Sequence, residues 1–158
     1  MCTTEKELKL TIELVPTTSW YRNLRNLIPK AVWDEIRKRT YRKYNHRCGI
    51  CGSRGRLNCH EIWEYDDQKQ VQKLVGFIAL CSLCHHVKHI GYSGILASQG
   101  KLDYQKVVRH FIKVNGCSRD IFEKHIKNAF DQWNKRSQYD WYLDLREYKN
   151  LVKDRHLL

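Results

Sequence analysis

The chain has 158 residues, 42% of them apolar and 29% charged, with five Trp, nine Tyr and four Phe, a composition that can fill a core and excludes a disordered chain. No apolar run approaches the ~20 residues of a membrane helix and the N-terminus lacks a secretory pattern, so a cytoplasmic, reducing location is the expectation. The formal charge of +12 makes a polyanion the first partner to consider; a membrane surface competes only weakly, because no basic amphipathic helix with a wide apolar face stands alone.

In chain order, Leu8, Leu10, Ile12 and Leu14 alternate with polar residues, which predicts a short half-buried strand ended by Pro16 and the Thr17-Thr18-Ser19 cluster. Residues 19–28 are predicted helical, with Trp20, Leu24, Leu27 and Ile28 on one side. Pro29 suits the start of a second helix, which carries Val32, Trp33, Ile36 and Tyr41 and fades before Cys48. Residues 22–47 are dense in cations, namely Arg22, Arg25, Lys30, Arg37, Lys38, Arg39, Arg42, Lys43 and Arg47, with Tyr21, Trp33, Tyr41 and Tyr44 interleaved. The functional reading is a phosphate-tracking face, since each cation that neutralises a phosphate releases a counterion. The bland reading is the solvated side of an amphipathic helix.

Seven cysteines, an odd number, argue against a disulfide scaffold. Cys48-Gly49-Ile50-Cys51 and Cys81-Ser82-Leu83-Cys84 are two C-x-x-C pairs, each able to aim two thiolates at one ion through a tight turn. Four thiolates close a tetrahedral zinc shell with no open position, so the expected zinc is structural. Cys2 and Cys117 have no partner by spacing.

Between the pairs, residues 57–65 read as a strand, Asp66-Asp67-Gln68-Lys69 as a turn and residues 74–80 as a second strand. The second knuckle opens a short helix through His85, His86, Lys88 and His89, on which His85 and His89 share a face. Gly91, Gly94 and Gly100 punctuate a predicted loop. A helix over residues 101–114 follows, with Val107, Val108, Phe111 and Ile112 inward, closed by Asn115-Gly116. Ser118 suits the N-cap of a last helix burying Ile121, Phe122, Ile126, Ala129, Phe130 and Trp133, and an aromatic segment from Tyr139 to Tyr148 ends the pattern. The stretches are an N-terminal basic part (residues 1–46), a zinc module (residues 47–92) and a helical C-terminal part (residues 93–158), expected to pack as one domain.

Cys48-x-x-Cys51, Cys59-His60, Leu80-Cys81-x-x-Cys84-His85 and Lys88 resemble the motifs of the HNH, or ββα-metal, endonucleases that carry a zinc-knuckle clip. The resemblance covers residues 47–90 and implies an α+β fold, a ββα-metal core with one structural zinc flanked by N- and C-terminal helices. It also implies a nuclease in which a His deprotonates water and one divalent cation (Mg, Mn, Ni or Zn) offsets the charge at the scissile phosphate. By resemblance His60 is the base, His85 a metal ligand, and Lys88 or His89 supports the phosphate or the ligand shell.

Two positions depart from the family pattern. Cys59 stands where an acidic or His ligand is usual, and Gly76 or Phe77 where the middle Asn is usual. A thiolate at Cys59 favours a soft ion. Glu61 is a candidate hard ligand, although strand alternation points it away from His60. The bland readings are a packing role for His60, a solvent-facing His86, a helix-capping His89 and plain turn residues at Asp66 and Asp67. DNA is expected ahead of RNA as partner, and a homodimer would suit a double cut. The alternative is a degenerate scaffold that binds nucleic acid, or a defence or anti-defence complex, without cleavage. A third reading is an adaptor for an acidic protein.

Overall fold

Two apolar, β-branched and aromatic runs meet across the turn that begins at Asp66, whose carboxylate accepts from the backbone N–H groups of Gln68 and Lys69. In the computed structural model, which describes residues 7–153, these runs are β1 (Leu57–Asp66) and β2 (Val71–Cys81), paired antiparallel. The register skips Val75: Ile62 faces Gly76 and Trp63 faces Leu74. This bulge turns Leu74 to the same side as Phe77 despite their odd spacing, so both join one core with Trp63. Gly76 therefore lies at an irregularity of the ladder.

Helices surround the hairpin. α1 (Leu24–Leu27) is a single turn capped by the Asn23 side chain, and α2 (Lys30–Lys43) begins at Pro29 and buries Trp33, Ile36 and Thr40. α3 (Ser82–Lys88) starts as β2 ends, and α4 (Ile90–Ser98) follows after His89. α5 (Tyr104–Asn115) is capped by Asp103 and closed by Gly116, whose φ of 59° is left-handed, as the sequence predicts for a C-terminal Gly. α6 (Arg119–Arg136) follows Ser118. The chain then returns as β3 (Tyr142–Asp144), parallel to β2, giving the sheet order β1-β2-β3, and ends in a 3-10 turn, Arg146–Leu151.

The sheet separates two cores. On one side Leu10, Ile12, Leu80, Cys84, Val87, Phe111 and Phe122 pack together. On the other Leu24, Leu27, Trp33, Ile36, Leu74 and Leu143 pack, with Cys59 and Phe77 against them. Each core mixes residues from the start, middle and end of the chain. The architecture is α+β, a small three-stranded sheet among helices.

Three expectations change. Residues 8–14 alternate in burial, with Leu10 fully buried, but form no ladder; Leu10 N–H donates to Asn115 Oδ1, Asn115 Nδ2 donates back to the Leu10 carbonyl, and Ile12 N–H donates to His125 Nε2. Side chains of α5 and α6 thus take the place of a partner strand. The helix expected over residues 19–28 shrinks to α1, because the preceding residues turn and leave Trp20 41% exposed. The expected loop at Gly91 and Gly94 is α4, a helix that packs Ile90 and Ser93 inward and places Gly91 against Leu14 and Phe130. No helix among the described residues is long and apolar enough to cross a membrane.

Candidate metal centres and a basic groove

The first knuckle sits just before β1 and the second where β2 becomes α3, so the pairing of Leu57 with Cys81 closes the base of the hairpin. Gly49 makes the approach possible: its N–H donates to Ala79 O at 2.7 Å, and a Cβ there would lie 2.8 Å from Ile78. Gly52 turns the first knuckle with φ of 74°. Cys81 caps α3, its sulfur accepting from Cys84 N–H. The sulfurs of Cys48, Cys51, Cys81 and Cys84 all lie within 4.8 Å of one another, and all four cysteines are free.

Crowding splits their proton affinities. Hydrogen bonds from Cys48 and Cys84 pull the Cys81 thiol far down, whereas Cys84, bonded to Cys48 and Cys81 and buried, is pushed far up. Sulfurs sharing a few protons are frustrated in this way, and a cation that takes all of them as thiolates removes the conflict. The cluster can hold one metal ion, and its all-sulfur donor set is compatible with a zinc clip. His110 of α5 reaches Cys84 Sγ at 3.2 Å from outside the cluster.

A second cluster lies on one face of the hairpin. His60 of β1 meets His85 of α3 and His89 just after it, and one ligand atom from each lies within 4.8 Å of the others. The ring centroids are 5.7 Å apart for His60 and His85, 5.0 Å for His60 and His89 and 4.7 Å for His85 and His89. Burial, with repulsion from neighbouring imidazoles, pulls His85 down to about 4 and His89 down to about 3. Both rings are therefore neutral around pH 7, the form that ligates metal.

The residue that sequence reading missed is Glu13. Its Oε2 lies 3.0 Å from His60 Nε2 and its Oε1 2.5 Å from Lys88 Nζ. Burial opposes its ionisation, but the hydrogen bonds from His60 and Lys88 outweigh burial and hold the carboxyl at about 2. The only advance signal was an acidic residue within the alternating N-terminal run.

The remaining candidates separate. Alternation places Cys59 and Glu61 on the face of β1 opposite His60. Cys59 lies beside Thr40 with its thiol pushed up to about 11 by burial, and Glu61 accepts from Arg25 N–H with its carboxyl pushed up to about 7 by burial. Neither joins the histidine cluster. Lys88 is 6% exposed and donates to Thr11 and Glu13, so its charge is neutralised inside the protein rather than offered to a phosphate. His86 is half-buried against Ser93 rather than solvent-facing. Asp66 serves the turn, and Asp67 pairs with Arg136.

An open groove of about 1530 Å³ is lined by residues of β1, an edge strand among the described residues, and takes in His60, His85 and His89. Arg22, Arg25, Lys30, Arg37 and Arg56 line it, with Trp20 and Tyr92 exposed among them. Of the nine cations singled out in sequence, Arg22, Arg25, Lys30 and Arg37 line the groove, and Arg37 is tied to Asp34 at 2.8 Å. Lys38, Arg39, Arg42, Lys43 and Arg47 are exposed outside it. Compared with known proteins, the chain matches no family model, no curated protein and no solved structure.

Proposed function

We propose that this protein is a metal-dependent endonuclease of the HNH type that hydrolyses DNA phosphodiester bonds. The observation that carries the reading is the His60–His85–His89 cluster opening on a basic groove, beside a hairpin clipped by four cysteines. The four cysteines hold one structural zinc, and His85 and His89 hold a divalent ion. When bound there, that ion supplies positive charge for the scissile phosphate and the leaving oxygen. His60, on the strand facing His85 and His89, takes the proton of the attacking water as a new P–O bond forms and the bond to the leaving oxygen breaks. Groove arginines bind the flanking phosphates and set the strand in line.

One observation favours a second reading, a protein on the same frame that binds nucleic acid or a nucleic-acid-processing defence complex without cutting. Cys59 and Glu61 face away from the cluster, so no acidic ligand comes from β1 beside His60.

Nicking of supercoiled plasmid with Mg, Mn, Ni or Zn, wild type beside His60→Ala, tests the first reading. Cleavage that disappears in the variant supports a nuclease. Zinc-loaded protein that shifts DNA yet nicks it with none of these ions supports the second.

A further inference from the structure

We infer that Glu13 is a positioning residue for His60: its carboxylate takes the Nε2–H of the imidazole and so leaves Nδ1 as the nitrogen with the free lone pair. That Nδ1 takes the proton of the attacking water rests on the nuclease reading; the hydrogen-bond arrangement does not.

The geometry fixes the direction of this bond. Glu13 is flanked by the Lys88 ammonium, which is itself buried and, among the described residues, donates to Glu13 and Thr11 Oγ1. A carboxylate in an ion pair can only accept, so the imidazole nitrogen 3.0 Å away must donate. A neutral imidazole with its proton on Nε2 has its lone pair on Nδ1. His60 is 5% exposed, and its ring packs against His85 and His89 while Nε2 meets Glu13, so turning the ring would break the Glu13 bond. Carboxylates that hold a working imidazole by its other nitrogen fix both its tautomer and its orientation.

Delivery of Glu13 is a long-range property of the fold. Residues 10–13 have no strand partner among the described residues; they are held by Asn115 and His125 and by Glu13 N–H donating to the Lys88 carbonyl. Lys88 thus grips Glu13 twice, by backbone and by ammonium. The C-terminal helices complete a site whose histidines all lie on the hairpin and the helix behind it.

Two measurements test this. The first is long-range proton–nitrogen NMR correlation on His60 in the zinc-loaded protein, above the pH where the ring is cationic. The expected pattern is a proton on Nε2, slow to exchange, and none on Nδ1; a proton on Nδ1 overturns the inference whether or not the protein cuts DNA. The second compares two double variants of equal charge, Glu13→Ala/Lys88→Met and Glu13→Gln/Lys88→Met. Neither leaves a buried ammonium unpaired, and they differ in whether an oxygen remains to accept the Nε2 proton. The Ala pair is expected to lose about 10- to 100-fold in kcat with little change in KM, and the Gln pair to recover most of it. Equal kcat values in two folded variants would overturn the positioning role. Absence of cleavage by wild type would sink the nuclease reading and leave the NMR result to decide the tautomer.

Discussion

Glu13 and His60 stand 47 positions apart in the chain and 3.0 Å apart in the molecule. The segment that carries Glu13 has no ladder, so its placement rests on a few side-chain clamps. Asn115, 8% exposed, provides the most complete one, bonding both the N–H and the carbonyl of fully buried Leu10 at 2.9 Å each. Asn115→Ala strands both groups in an apolar setting, at about 1–3 kcal/mol per group. The expected loss is roughly 2–6 kcal/mol in urea unfolding, with Asn115→Asp intermediate because it keeps the acceptor. A loss below about 1 kcal/mol for the Ala variant would mean that apolar packing of Leu10 and Ile12 alone holds the segment.

The four-cysteine cluster makes a sharper demand on stability. Cys48 and Cys84 are 3% and 0% exposed and belong to the first core, so emptying the cluster removes a clamp from the base of the hairpin. Chelation is expected to cost about 4 kcal/mol or more, a fall of roughly 10 °C in Tm for a chain of this size. Cys81→Ser should reproduce most of that loss, while Cys117→Ser, which lies outside the cluster, should not. Calorimetry beside elemental analysis decides it: a Tm indifferent to chelator would refute the metal clip.

These two predictions mark what was legible in the sequence. The knuckles, the hairpin and α3 rest on short-range signals, namely the spacing of Cys48 and Cys51, the alternation through β1 and the i, i+4 pair of His85 and His89. Alternation also foretold that Glu61 faces away from His60. Glu13 was out of reach, because nothing near it in sequence says which strand or helix it will meet. Residues 8–14 read as a strand since burial alternates there, yet period-2 burial does not specify whether a neighbouring strand or the side chains of Asn115 and His125 satisfy the backbone. α4 was hidden by Gly91 and Gly94, which count against a helix in isolation but are tolerated where Ile90 and Ser93 pack inward.

Glu61 gives the fold a pH dependence of its own. Burial lifts its carboxyl to about 7 from an ordinary 4.5, against hydrogen bonds from the Arg25 and Leu24 backbone that favour the anion. Below pH 4.5 both folded and unfolded chains carry the proton and the contribution is fully present. As pH rises from 4.5 to 7 the unfolded chain ionises first, so stability is lost through that window and the loss is complete above it. Glu61→Gln cannot ionise and keeps a carbonyl for Arg25 N–H. Its stability relative to wild type should therefore climb by about 3 kcal/mol between about pH 4.5 and about pH 7.5, whatever the constant offset between them. Denaturant melts at a series of pH values measure the slope, and parallel curves would show that Glu61 ionises normally.

Two sets of cations compete for the role of phosphate partner, and salt dependence separates them. Arg25 and Arg56 line the groove that holds His60, His85 and His89, whereas Lys43 and Arg47 are exposed beyond it. Lys88 carries a formal charge beside the same histidines but is neutralised by Glu13. Removing one phosphate-binding cation should flatten the dependence of log binding constant on log salt by about 0.9 on duplex DNA. If DNA lies in the groove, Arg25→Ala and Arg56→Ala each flatten the slope by about that amount, while Lys88→Met leaves the slope unchanged and lowers Tm instead. If DNA tracks the outer face of α2, the flattening comes from Lys43→Ala and Arg47→Ala, and a substrate bound there would lie away from the histidines. Binding measured by fluorescence anisotropy across about a decade of salt concentration distinguishes these arrangements. The groove result is required for hydrolysis at His60, since a base acts only within hydrogen-bond reach of the water it deprotonates.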